Sequence, residues 1–250
     1  RFVLINNKLQ LLPRNLFEFI TSPLLKTAEK FRVILEVFVS KHKKNTTVAS
    51  FIRKRFGDGI LKQFIEPFVT GIYSGDVEKM SVKHTLKKIW YLEQKHGSVI
   101  KGVLKEKQKS HEIINFPNGL SELTDTIKFK IQNSIRTKTI IKSINKKNGH
   151  FEIDTGKTKI ICKKIISTIP AHSLKKIIYD KKLCQYLNKI EYVPIDVFHF
   201  GFHKDSVKEN AQGFGVLTKK EDKKSFLGIL FNSRIFHHVS PKDKELFTVI

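Results

Sequence analysis

The stretch Pro67-Phe-Val-Thr-Gly-Ile-Tyr-Ser-Gly-Asp76 lies between two helical patterns. Ahead of it, Ile60, Leu61, Phe64, Ile65 and Phe68 recur at helical spacing behind Asp58. A helix is therefore expected to enter the stretch and to kink or end at Pro67, whose ring clashes with the carbonyl four residues back. Gly71 falls where that helix stops, and Gly75-Asp76 reads as a turn. Beyond it a helix is expected from about Ser81 to His96, carrying Val82, Leu86, Ile89 and Trp90, with Gly97 as its C-terminal stop. Two earlier helices complete the region. One starts at Ser22-Pro23 as N-cap and first-turn proline, with Leu24, Leu25, Ala28, Phe31, Leu35 and Phe38 on one face. The other is capped by Thr46 or Thr47 and carries Val48, Phe51, Ile52 and Phe56. Residues 22 to about 108 thus read as mostly helical.

The flanks read differently. Arg1–Leu12 alternates around Asn6-Asn7, a pair that tolerates a tight hairpin turn. After Phe116-Pro-Asn-Gly119, Leu120, Leu123, Ile127 and Ile131 make one more amphipathic helix. Ile135–Ile144 reads as a strand, Asn148-Gly149 as a turn, and Phe151–Asp154 and Ile160–Cys162 as strands. Ile165–Ile169 reads as a short buried strand stopped by Pro170. From Val193 onward strands and glycine-rich turns dominate, including Val197–Phe202, Gly213–Leu217 and Phe226–Phe231. The fold class is mixed α+β and α/β: helical first, α/β in the middle, largely antiparallel β at the end.

Composition narrows the function classes. Of 250 residues, 40% are hydrophobic and 20 are Phe, which excludes a disordered chain. No run approaches the roughly 18 apolar residues of a membrane span. Cys162 and Cys184 are too few for a disulfide framework or a four-ligand zinc site. With no signal peptide at its start, the chain is expected in a reducing, cytoplasmic setting. The net charge of +24 comes from 47 basic and 23 acidic residues, and the basic set is 40 Lys and 7 Arg. Such an excess fits a lysine-coated solvent surface, a lipid-facing surface or a nucleic-acid partner. Walker, GxGxxG and HExxH motifs are absent, and His237-His238 lack the spacing that shares a helix face. No Ser or Cys sits in a nucleophile elbow. The chain opens on Arg1, has Met80 as its only methionine, and stops within Leu246–Ile250, a strand-like run; a fragment of a longer protein is expected.

Four segments carry a resemblance: Arg1–Pro13; Pro67–Asp76 with Ser81 and Trp90-Tyr-Leu-Glu-Gln-Lys-His-Gly-Ser98; Phe116–Leu120; and Ile165-Ile-Ser-Thr-Ile-Pro-Ala171. In this order and spacing they resemble the oxygen-dependent protoporphyrinogen oxidases, a branch of the flavin amine oxidase superfamily. Gly213–Leu217 and Leu227–Leu230 are similar to that family too. The resemblance implies a flavin amine oxidase-like fold. Its parts would be a helical, membrane-associated substrate-entry domain (13–112), part of an FAD-binding domain (113–185), and a substrate-binding antiparallel sheet (1–12 and 186–250).

It also implies FAD as cofactor and a substrate site of Arg1, Gly71, Leu217 and Leu230. Arg1 would pair with a propionate, a match for a guanidinium fork, although an ordinary strand-edge arginine reads the same. Gly71 would let backbone approach a flat macrocycle, or simply end its helix. Leu217 and Leu230 would sandwich the rings or be plain core. Ile141, Thr168 and Pro170 would contact the cofactor, with Ile141 on a strand pairing the adenine. No catalytic side chain and no metal are implied. The implied reaction is oxidation of protoporphyrinogen IX to protoporphyrin IX in haem biosynthesis, with molecular oxygen reduced to peroxide.

Coproporphyrinogen III is the alternative substrate within the family. An amine oxidase or a carotenoid desaturase is argued against by Gly71–Asp76. A non-catalytic basic module binding lipid or nucleic acid is the alternative from another class. Peripheral attachment to the inner face of the cell membrane follows from the resemblance, with no nucleic-acid partner and with a homodimer left open. The family's N-terminal dinucleotide loop and C-terminal closing segment lie outside this sequence.

Overall fold

The computed structural model describes residues 2–5, 8–13, 18, 21–106, 113–208 and 213–250. It divides into two units, Arg1–Gly119 with Ile195–Ile250, and Leu120–Pro194.

In the first unit helix α1 (Thr27–Ile34) continues into a 3-10 turn, Leu35–Phe38. It begins later than Ser22-Pro23. Ser22 Oγ accepts from Leu24 N at 3.2 Å in a local turn, and Glu29 instead reaches back to the Lys26 N–H at 2.8 Å. The apolar pattern also faces outward: Phe31 is 62% and Phe38 82% exposed, while Glu36 is buried. Helix α2 (Val48–Phe56) starts on Thr47, whose Oγ1 accepts from Ser50 N at 3.1 Å.

Helix α3 (Asp58–Ile60) runs through a π-helical turn, Leu61–Ile65, into α4 (Glu66–Tyr73). Pro67 therefore ends nothing. It sits in the first turn of α4, where its missing N–H costs little, and the wider π turn before it relieves the clash with the carbonyl of Gln63. Helices α5 (Val82–Thr85) and α6 (Lys87–His96) replace the single expected helix, because Leu86 leaves helical geometry at φ −115°, ψ 54°. Gly97, at φ 75°, stops α6 in the left-handed conformation expected of it, and α7 (Val99–Lys105) follows. Val48, Phe51, Ile52, Leu61, Val69, Val82 and Leu92 close the core of these helices.

The same unit holds a six-stranded sheet in the order β2-β1-β7-β8-β9-β6. Its strands are β1 (Phe2–Ile5), β2 (Lys8–Leu11), β6 (Phe198–His203), β7 (Gly215–Leu217), β8 (Gly228–Leu230) and β9 (Lys244–Val249). The sheet is mixed rather than antiparallel, since β1 runs parallel to β7 while every other pair is antiparallel. A parallel neighbour needs a long crossover, which the chain between β1 and β7 provides. Opposed residues share a face, so Gln10, Val3, Leu217 and Gly228 form one row. The other face carries Leu4, Val216, Ile229, Phe247 and Phe200.

The second unit has α8 (Ser121–Lys130), an antiparallel sheet β3 (Ser143–Lys147), β4 (His150–Asp154) and β5 (Lys159–Cys162), and short helices α9 (Ala171–Leu174) and α10 (Lys181–Leu187). The β3–β4 turn is Asn148-Gly149 with φ 47° and 79°, the left-handed pair a tight hairpin requires. Two expected strands are absent. Residues 135–142 run outside any strand until β3 starts at Ser143, and residues 165–169 are likewise unladdered, with Ile166 91% exposed. Among the described residues no ladder forms with either segment, although Lys142 N donates to the Asp154 carbonyl at 2.8 Å just ahead of β3, and backbone without a ladder does not make a strand.

Candidate functional site

The segment Trp90–Ser98 proves to hold a buried ion network. Arg55 of α2 is fully buried with Glu36, Glu93 and Ser98. Its Nη1 donates to Glu36 Oε1, its Nε to Glu93 Oε1 at 2.5 Å, and its Nη2 to the Gly97 carbonyl at 3.0 Å. Glu36 spans onward to the start of α7. It accepts from Ser98 Oγ, from Val99 N at 3.0 Å and from Ile100 N at 3.3 Å. Glu93 further accepts from His42 N at 3.1 Å and Gln94 Nε2 at 2.8 Å, with His42 Nδ1 at 2.7 Å. Burial disfavours the Glu93 charge, but the hydrogen bonds from His42 and Arg55, with the guanidinium charge, hold its carboxyl below the ordinary range. These groups partner one another, so Glu93 and Ser98 of the segment, with His42 from outside it, are structural joints rather than free catalytic groups; the segment's own His96 stands apart, its Nε2 3.0 Å from Glu106 Oε1.

Two expected substrate residues meet. A Cβ built on Gly71 would lie 2.4 Å from Leu217 Cδ2 and 3.6 Å from the Leu227 carbonyl oxygen. One built on Gly228 would lie 2.9 Å from the Val216 carbonyl oxygen and 3.3 Å from the same Leu217 methyl. Leu217 is therefore seated between two glycines, one on α4 and one on β8, where any larger residue would displace it. Leu230 sits on the same sheet face, since Leu217 opposes Gly228 and Gly215 opposes Leu230. Arg1 lies outside the described residues.

Ile141, Thr168 and Pro170 all belong to the second unit and all are exposed. Ile141 is not on a strand, contrary to expectation, because β3 begins two residues later. Residues 140–141 and 165–168 present exposed backbone outside any ladder, beside apolar Ile140, Ile166 and Ile169. That arrangement fits one wall of a flavin site, where an adenine edge pairs with main-chain groups.

The sequence pattern gave no sign of Lys219. It follows Leu217 by two residues, is only 9% exposed, and donates from Nζ to Gln63 Oε1 of the π-helical turn. With Gln10, Pro23 and Leu24 these two line an open pocket of about 280 Å³. Nothing local sets Lys219 apart from the other lysines, so only the fold reveals it. On the opposite sheet face, Leu4, Leu9, Val216, Ile229, Phe231 and Phe247 line an apolar groove of about 480 Å³. Phe198, Phe200 and Phe202 stack along its β6 edge at 6.3 Å spacings.

The family profile "Flavin containing amine oxidoreductase" matches residues 3–250. The chain belongs to that family, and FAD is accordingly its cofactor. Protoporphyrinogen oxidase 2 of Arabidopsis thaliana is 28% identical over 99% of this chain and 58% of its own length. Coproporphyrinogen III oxidase of Bacillus subtilis (strain 168) is 22% identical over 98% of this chain and 57% of its own. A crystal structure from Exiguobacterium sp. 255-15 superposes with a TM-score of 0.73 at 20% identity, covering 95% of this chain and 53% of that one. The chain thus spans a little over half the length of the proteins it matches. The flavin amine oxidase-like α/β fold, with one mixed and one antiparallel sheet, agrees with that superposition.

Proposed function

We propose that the protein is an FAD-dependent porphyrinogen oxidase, oxidising protoporphyrinogen IX to protoporphyrin IX with molecular oxygen as the final acceptor. The observation that carries the reading is the seat of Leu217 between Gly71 and Gly228, with Leu230 beside it. The two glycines let Leu217 pack directly on the backbone of α4 and β8, holding this apolar side chain, with Leu230 on the same sheet face, as the wall proposed for a flat macrocycle, in a chain whose relatives include protoporphyrinogen oxidases. Flavin, when bound, supplies the two-electron acceptor. Each turnover step removes two electrons and two hydrogens from the macrocycle, and dioxygen leaves as hydrogen peroxide.

The chain's own residues orient the substrate and exclude water. Leu217 and Leu230 offer one wall, and the packing of α4 on β7 fixes that wall in place. Arg1 is proposed to pair with a propionate. Ile141, Thr168 and Pro170 are proposed to meet the cofactor through backbone and apolar contacts. No side chain beside Leu217 and Leu230 is assigned as a general base.

Coproporphyrinogen III is the second reading, favoured by the Bacillus relative, while the charge of +24 suits either substrate. Peripheral contact with an anionic leaflet on the cytoplasmic side is proposed from the outward Phe31, Ile34, Leu35 and Phe38 of α1 and its 3-10 turn, flanked by Lys30 and Lys41–Lys44. No helix among the described residues is long and apolar enough to cross a membrane. Porphyrin fluorescence in air, with protoporphyrinogen IX and coproporphyrinogen III offered separately to the flavin-loaded full-length protein, tests the reading and chooses the substrate. Fluorescence from neither, with a reducible bound flavin, overturns it.

A further inference from the structure

Among the described residues Lys219 is a buried cation without an anion. It is one of the few buried charged groups among them, yet its hydrogen-bond partner is the neutral Gln63 amide. Among the described residues no carboxylate comes within ion-pair distance of it. Glu221 turns instead to Lys62 at 3.7 Å. Asp222 Oδ2, though buried and without a hydrogen-bond partner, does not reach it either. An ammonium withdrawn from water normally carries a counter-charge. The cavity beside it, about 280 Å³ and lined by Gln10, Gln63, Pro23 and Leu24, supplies room for one.

Placement ties this cavity to the macrocycle surface. Gln10 opposes Val3, and Val3 opposes Leu217, so Gln10 and Leu217 share a sheet face. The continuous helical run from Asp58 to Tyr73 touches the β7 segment twice, at Gly71 on Leu217 and at Gln63 on Lys219. Two residues of extended chain separate Leu217 from Lys219, roughly 6–7 Å. The cavity is at or below the lower limit of ordinary whole-ligand pockets, about 300 Å³, and so fits a side arm rather than a ring. An ammonium with three donors and an amide NH₂ are matched to a carboxylate.

We infer that Lys219, with Gln63, forms a carboxylate subsite that seats one propionate arm of the tetrapyrrole while the ring rests against Leu217. The inference rests on the porphyrinogen reading and adds an anchor separate from Arg1. In the ligand-free protein Gln63 Oε1 holds the ammonium in place; on binding, the carboxylate takes a donor from Lys219 Nζ and Gln63 Nε2 can supply a second. No bond is made or broken.

The test is a fluorescence-quenching titration of the flavin-loaded full-length protein with protoporphyrin IX and with its dimethyl ester. The unaltered protein is expected to prefer the free acid. Lys219→Met is expected to weaken free-acid binding about ten- to a hundredfold, the loss of a charge-assisted hydrogen bond, and to leave the ester unchanged. Gln63→Glu places a carboxylate where the propionate would sit. It keeps the lysine paired, so the fold is retained, and is expected to weaken the acid form by a similar factor. Lys219→Arg keeps the charge and is expected to preserve the preference for acid over ester. If both Lys219→Met and Gln63→Glu bind the acid as tightly as the unaltered protein, the subsite is wrong. If acid and ester weaken equally, the lysine is structural and the subsite is again wrong. If the unaltered protein quenches neither porphyrin, the subsite and the porphyrinogen reading fall together.

Discussion

Replacing Arg55 by Met removes the cation from between Glu36 and Glu93, all three fully buried. The side chain's length and apolar packing are largely kept, so the change isolates charge and hydrogen bonding. Two carboxylates then face each other's field, with His42 and Gln94 still on Glu93, and Ser98 Oγ and the α7 N–H groups still on Glu36. Breaking a buried pair by removing one partner costs about 3–5 kcal/mol. For a unit of this size each kcal/mol lowers the melting temperature by roughly 2–4 °C, so Arg55→Met should melt roughly 6–20 °C lower. Adding Glu36→Gln and Glu93→Gln removes the stranded charges and should recover much of the loss. Circular dichroism at 222 nm on the full-length protein reads both. A drop under about 2 °C, or no recovery in the triple variant, would falsify the network as the fastening of these helices.

Other outcomes follow from single contacts. The folded-state carboxyl of Glu93 sits below its unfolded value of 4.5, so its stabilisation is full above that pH and is lost as pH falls through the lower folded value. Urea unfolding as a function of pH should show this acid loss, and Glu93→Gln should flatten it. Gly71→Ala drives a Cβ to 2.4 Å from Leu217 Cδ2, which forces the leucine to rotate. A cost of about 1–3 kcal/mol and a raised KM are expected, and Leu217→Ala in the same chain should restore the stability but not the KM. Phe31→Ser with Phe38→Ser removes outward aromatics from a basic-flanked face. Sedimentation with anionic vesicles should fall at least about tenfold if those rings enter the leaflet, and unchanged binding would place lipid contact elsewhere.

Local chemistry was legible in the sequence wherever it sufficed. Thr47 caps α2, Gly97 stops α6 and Asn148-Gly149 turns the β3–β4 hairpin, because each is decided by a side chain or a backbone angle within a few residues. Strands failed where the ladder was missing: of Ile135–Ile144 only Ser143 and Ile144 are laddered, as the start of β3, and residues 165–169 have strand composition but no ladder among the described residues. Periodicity also shows which residues share a face without showing what covers it. That is why Phe31 and Phe38 point outward while Glu36, the one acid within Val33–Val39, turns in to meet Arg55. An acid inside an apolar run was the signal for the ion network. At the candidate site, Gly71 and Leu217 were named from resemblance and prove to touch. Lys219 and Gln63 had no such mark, since a π turn before a proline and one lysine among 40 carry no local signature.

The most direct measurement of the central claim is aerobic porphyrin fluorescence from the FAD-loaded full-length protein. Protoporphyrinogen IX and coproporphyrinogen III are supplied in separate cuvettes and hydrogen peroxide is followed in each. The account predicts porphyrin emission with peroxide from at least one substrate, and loss of that emission when Leu217 is changed to Asp. Bound flavin that is reducible by dithionite but leaves both porphyrinogens unoxidised would contradict it.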